Sequence, residues 1–262
     1  IEQLKRHAVT LAGQHRIDAC PGPDRLLPRL ADNARVLLAA YDVVTAAAAT
    51  PGQRIAPAEA WLLDNFYLIE QQIGLARRHL PRGYSRQLPR LADGPSVGFP
   101  RIYDLALELI SHMDGRVDND NTTQFVAAYQ SAEPLKLGEL WAFPIMLQLA
   151  LLENLRRVGL RIARRREERD AAITWSDRML ATAEREPNQL IQLLAEFANA
   201  DVPLTAPFVQ EFYARLQAQG PAMAFVLGQP PHICFLVFGS VGLGMASPYL
   251  LIGAFPDLIG FL

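Results

Sequence analysis

Cysteine and lysine are nearly missing from this chain. Its 262 residues include two cysteines, Cys20 and Cys234, with no C-x-x-C spacing. That excludes a disulfide-stapled miniprotein and a zinc or redox motif built on paired cysteines. Of the 25 basic residues only Lys5 and Lys136 are lysine; with abundant alanine, this bias suits a GC-rich bacterial genome. Asp and Glu number 27, so the net charge is −2, and nothing in the balance argues for nucleic acid as a partner. Alternating apolar and polar runs, Asn-Gly hairpin turns and solenoid-length repeats are also missing. The five histidines (His7, His15, His79, His112, His232) show no H-E-x-x-H spacing, and no metal site is expected from them. No catalytic constellation is complete, and no cofactor is expected. Charge itself runs out after Arg215: Leu216 to Pro256 carries none, and Asp257 is the only charged residue beyond.

What is present is apolar and helical. Hydrophobic residues make up 50% and charged residues 20%, which excludes a disordered chain. Asp32 to Ala49 reads as a helix broken by Thr50-Pro51-Gly52. The clearest helix runs from Pro57 to Leu80, with Leu62, Phe66, Ile69, Ile73, Ala76 and Leu80 on one stripe. Leu80 to Pro100 is a loop with four prolines and three glycines. A second stripe follows in Ile102, Leu105, Ala106, Leu109 and Met113, closed by a turn at Asp114-Gly115. Asn121 or Thr122 is expected to cap the next helix, whose inner face is Phe125, Val126 and Tyr129. A long helix is expected from Leu137 to about Ala172, kinked at Pro144. One further helix carries Leu190, Ile191, Leu194 and Phe197. Another, capped by Thr205, carries Phe208, Val209, Phe212 and Leu216. Ile233 to Ile252 is a 20-residue uncharged stretch, long enough as helix for a bilayer core of about 30 Å.

Few side chains stand out as chemistry. Asp118-Asn119-Asp120 has the D-x-D form of a metal-bound diphosphate site, but its place between two amphipathic helices favours a polar turn ahead of a helix cap. Gly239 to Gly244 is glycine-rich without the G-x-G-x-x-G pattern, which fits helix packing in apolar surroundings. Arg156 to Arg169, interleaved with Glu167 and Glu168, reads as a solvated, ion-paired helix face. In the loop after Leu80, Arg82, Tyr84 and Arg86 are the candidate substrate-binding residues, since arginine beside an aromatic ring suits sugar or phosphate. Helix docking is the competing account of the same residues.

The ordered blocks Glu59 to Ile73 (EAWLLDNFYLIEQQI), Leu80 to Gly94 (LPRGYSRQLPRLADG), Phe99 to Asp118, Phe125 to Arg157 and Trp175 to Pro187 resemble the cyclic β-1,2-glucan synthases. The resemblance covers about residues 1–227. It implies a bacterial inner-membrane enzyme that polymerises glucose from UDP-glucose, with this segment as a helical region ahead of the glycosyltransferase and phosphorylase-like parts. The transferase motifs are not in this chain, so no catalytic residue carries over. Lys136 stands where the family usually has Thr, which implies a weaker helix cap. Phe238 to Leu262 resembles instead a membrane segment of the thiol:disulfide interchange and cytochrome c biogenesis family.

Together these readings set the expectations. The fold class is all-α: a multi-helix bundle-like body with a C-terminal apolar transmembrane segment. The divisions are 1–54, 55–227 and 228–262. The chain begins at Ile1 without a leader pattern and stops inside an apolar run, and so is expected to be a fragment. Its expected role is non-catalytic scaffold or regulation within a membrane glycosyltransferase. The expected partners are the other domains of that synthase and the inner membrane, with the body on the cytoplasmic face. The alternatives are a membrane thiol-disulfide relay and a non-enzymatic helical interaction module.

Overall fold

A computed structural model describes residues 2–18, 22–113, 115, 117–200, 202 and 204–218. The apolar tail, both cysteines and the glycine-rich run lie outside these residues. Among the described residues the chain is all-α, with eight helices: α1 (Glu2–Gln14), α2 (Leu26–Ala48), α3 (Pro57–His79), α4 (Arg101–His112), α5 (Asn119–Ala132), α6 (Leu137–Arg185), α7 (Leu190–Asn199) and α8 (Ala206–Ala218). No described helix is long and apolar enough to cross a membrane. The one departure from helix and loop is a two-residue antiparallel pairing of β1 (Ile17–Asp18) with β2 (Arg90–Leu91), too short to leave an alternating pattern in the sequence.

The contacts divide the chain into two compact units with the boundary between residues 163 and 164, inside α6; the described residues of the second end at 218. In the first unit α1 packs along α5 and α2 along α3. One apolar core joins Ala8 and Leu11 of α1, Leu30 and Leu37 of α2, Phe66 and Ile73 of α3, Leu105 and Leu109 of α4, Phe125 of α5 and Met146 of α6. The whole predicted stripe of α3 is buried, and Tyr41 stacks on Phe66 with ring centres 4.1 Å apart. At such positions each large apolar side chain contributes about 1.5–3 kcal/mol. That scale explains Pro144, which lies inside α6 without ending it. A proline in a helix interior costs about 3 kcal/mol, and burial of Ala142, Phe143, Met146 and Leu149 around it outweighs that cost.

The second unit uses the rest of α6 with α7 and α8. Ala172 and Met179, seven residues apart on α6, face Leu193, Phe197, Phe208, Phe212 and Leu216. Phe197 stacks on Phe212 at 5.5 Å and meets Trp175 edge-on at 5.1 Å. Arg215 pairs with Asp177 at 2.7 Å and Arg178 with Glu196 at 3.1 Å.

Four sequence expectations are corrected. The long helix does not stop near Ala172: Ala172 and Met179 are core residues and carry it to Arg185. The cap of α5 is Asp118, not Asn121 or Thr122, because the Asp118 carboxylate accepts the Asn121 N–H at 2.7 Å. The D-x-D run is therefore a helix start, as its surroundings implied. The arginine run is ion-paired, Arg164 with Glu168 and Arg166 with Asp170, but Arg166 and Glu168 are buried, so it is not a wholly solvated face. On α7, Ile191 is 70% exposed, and the buried apolar positions are Leu190, Leu193 and Phe197.

A buried carboxylate ties α2 to α6 in the first unit. Arg29 grips both oxygens of Glu153, at 2.8 and 2.6 Å, and Arg156 adds two more hydrogen bonds, at 3.1 and 2.8 Å. Burial pushes the Glu153 pKa upward, but the hydrogen bonds from Arg29 and Arg156 outweigh it and hold the group below its ordinary value. The folded state thus binds this proton less tightly than the unfolded chain. The stabilisation is complete above the unfolded carboxylate pKa and is lost as pH falls through the folded value. Denaturant midpoints for the parent chain and Glu153→Gln should differ most above about pH 5 and converge toward about pH 3. A gap that does not change with pH contradicts the pairing.

Candidate functional site

Asp24 shapes the loop that carries the candidate binding residues. One of its carboxylate oxygens accepts the Leu26 N–H (3.2 Å) and the Ser85 hydroxyl (2.9 Å), and the other accepts the Gly83 N–H (3.1 Å). The same side chain thus caps the start of α2 and folds residues 83–85 onto it. Gly83 has φ of +82°, where a Cβ is strained, and a 3₁₀ turn, Tyr84–Gln87, follows. The next anchor is Arg90, a buried residue whose guanidinium donates to the Gly22 carbonyl at 2.6 Å. A Cβ on Gly22 would lie 2.2 Å from that guanidinium, so any larger residue there has to displace the Arg90 side chain.

Between this loop and the first turn of α6 is a pocket of about 540 Å³. Arg82, Tyr84 and Leu88 line it from the loop; Lys136, Glu139 and Trp141 line it from α6. Of the three candidate residues, Arg82 and Tyr84 share this pocket, while Arg86 is exposed and does not line it. Trp141 is 76% exposed, an unusual state for so large an apolar ring. Neither Arg82 nor Lys136 has an ion-pair partner among the described residues. The pocket lining therefore includes an exposed aromatic ring and two free cations. That combination suits a sugar or an anion.

Glu139 lines the pocket from a fully buried position and is held from behind. Arg101, 2% exposed at the start of α4, donates Nε to Oε1 at 2.7 Å and Nη2 to Oε2 at 2.8 Å. Arg101 also reaches Glu133 (3.2 Å) and the Pro134 carbonyl (2.7 Å). Burial opposes the Arg101 charge, but the bonds to Glu139 more than offset it, and its pKa stays above the ordinary arginine value. Glu139 also accepts the Lys136 N–H at 2.9 Å. This carboxylate half of a capping box stands where Lys136 leaves no hydroxyl to cap the helix. Ala56 and Glu59 repeat the device at α3, with the Ala56 N–H donating to Glu59 at 2.7 Å.

Two polar clusters join helices far apart in sequence. His15 bonds the Tyr129 hydroxyl through Nδ1 (2.8 Å) and Asp104 through Nε2 (3.1 Å). The row resembles a relay, but Tyr129 is fully buried beneath Arg101, and burial pushes its phenol up to about 12. It locks α1, α4 and α5 together. The second cluster is His7 of α1 with Glu108 and His112 of α4. Sequence reading missed both. Glu108 and His112 sit four apart on one helix face, a visible signal, but His7 is 101 residues from Glu108.

The described residues thus form an all-α segment with an open, tryptophan-lined, cationic pocket and no assembled nucleophile and base in it. No family model matches the chain. The chain is similar to the cyclic beta-(1,2)-glucan synthase NdvB of Rhizobium meliloti (strain 1021), at 33% identity over 228 residues. The match takes in 86% of this chain and 8% of NdvB, so the chain spans a small part of its relative. The resemblance to cyclic β-1,2-glucan synthases therefore stands over that length, which agrees with the extent of the sequence blocks. The likeness of the tail to the thiol:disulfide interchange family finds no support in the comparisons.

Because one carboxylate organises the pocket loop, Asp24→Ala should lower stability by about 1–3 kcal/mol through loss of three hydrogen bonds. Arg86→Ala, at an exposed position of the same loop, should stay within about 0.5 kcal/mol. Paired denaturant unfolding curves check this, and equal effects of the two substitutions contradict it.

Proposed function

We propose that this chain is the non-catalytic helical region of a cyclic β-1,2-glucan synthase, the class of enzyme that builds glucan from UDP-glucose. In this reading it works beside the other domains of that synthase at the cytoplasmic face of a bacterial inner membrane. The similarity to NdvB over 86% of the chain carries the proposal. The pocket supports it: an exposed Trp141 ring can cover the C–H face of a glucose unit, while Arg82, Lys136 and the Tyr84 hydroxyl donate to its hydroxyls. The segment then acts by holding a stretch of glucan, and chemistry is left to other parts of the enzyme.

Calorimetric titration of the chain with β-1,2-glucan oligosaccharides tests the pocket. Trp141→Ala should weaken binding by about tenfold, or about 1.4 kcal/mol. The same chain supplied with UDP-glucose should make no glucan. Glucose transfer by the chain alone overturns the non-catalytic role. Absent glucan binding, or binding indifferent to Trp141→Ala, overturns the role of the pocket.

A further inference from the structure

The geometry points to a divalent metal site at His7, Glu108 and His112, one that takes a late transition ion such as Zn²⁺ and clips α1 to the C-terminal turn of α4. Three facts support it. First, the donor atoms already converge. His7 Nε2 lies 2.9 Å from Glu108 Oε2, His112 Nε2 lies 3.8 Å from the same oxygen, and all three ligand atoms fall within 4.8 Å of one another. A tetrahedral ion with ligand bonds of about 2.0–2.1 Å needs donor separations of about 3.4 Å, and the two separations from Glu108 Oε2, 2.9 and 3.8 Å, bracket that value. Second, the ligand set is chemically apt. Two imidazoles and one carboxylate suit Zn²⁺ and its neighbours, and a single negative charge leaves little selectivity for hard cations such as Mg²⁺ or Ca²⁺. Third, access is right. The three side chains are 28%, 37% and 39% exposed, so the ion enters from solvent and keeps a water in its open position.

Without an ion, the two imidazole rings sit with centres 3.9 Å apart against one carboxylate. An ion at the centre accepts lone pairs from all three groups and joins two helices that are distant in sequence. The site lies apart from the pocket and does not depend on the glucan reading. His15, just past the end of α1, is already engaged by Tyr129 and Asp104 and does not compete.

The test uses the untagged chain, titrated with Zn²⁺ by calorimetry and with Co²⁺ by visible absorption. One-to-one saturable Zn²⁺ binding is expected, with d–d bands of a four- or five-coordinate Co²⁺ centre. Zn²⁺ should raise the thermal midpoint by about 5 °C at saturation. His7→Gln and His112→Gln should each abolish the bands and the midpoint shift, while leaving the metal-free midpoint and the far-ultraviolet spectrum close to those of the parent. His79→Gln should change nothing. An absence of saturable binding overturns the site, as does binding that survives both ligand substitutions or is removed equally by His79→Gln.

Discussion

The ion pair between Arg101 and Glu139 is the constraint on which the first unit depends. Both side chains are removed from water, and a buried charge is tolerated only when its bonding capacity is filled. Here it is filled by several elements at once. The arginine begins α4, the carboxylate begins α6, and the Glu133 side chain and Pro134 carbonyl come from the connection between α5 and α6. The Lys136 N–H completes the carboxylate, and the Tyr129 ring lies under the guanidinium. The pair therefore fixes where α6 starts, and with it the positions of Lys136 and Trp141 on the pocket wall.

The opposite wall is set by a different device of the same kind. Asp24 gathers three donors from α2 and the loop, and Gly83 supplies the backbone turn that the geometry requires. Two carboxylates, each satisfied by groups from separate elements, thus hold the two sides of one pocket. Arg82 and Lys136 are left free because the acids nearby are already spoken for.

Much of this was legible in the sequence. The apolar stripes of α3 and α4 map onto the core, and Thr205 lies at the start of α8, where its hydroxyl is 3.5 Å from the Phe208 N–H. Of the arginine-aromatic loop, Arg82 and Tyr84 line one pocket and Arg86 does not. The departures have physical reasons. The span of α6 beyond Ala172 was hidden because its arginine-rich middle resembles a helix nearing its end, whereas Ala172 and Met179 resume a sparse, seven-residue core pattern. Trp141 was hidden inside an apolar run that reads as uniformly buried. The His7, Glu108 and His112 cluster and the His15, Asp104 and Tyr129 row were beyond reach, because they exist only once α1 is laid along α4 and α5. At Lys136 only the carboxylate half of the cap is present, from Glu139, and the orientation of that carboxylate is set by Arg101 from a separate helix.

The claim that one buried ion pair organises this unit is tested most directly by a double-mutant cycle on unfolding free energy, with Arg101→Met, Glu139→Gln and the two combined. Each single change should cost about 3–5 kcal/mol, because it strands a buried charge, and the double variant should cost well below their sum, with a coupling of about 1–3 kcal/mol. Additive losses, or single changes that cost no more than a surface substitution, would contradict the account.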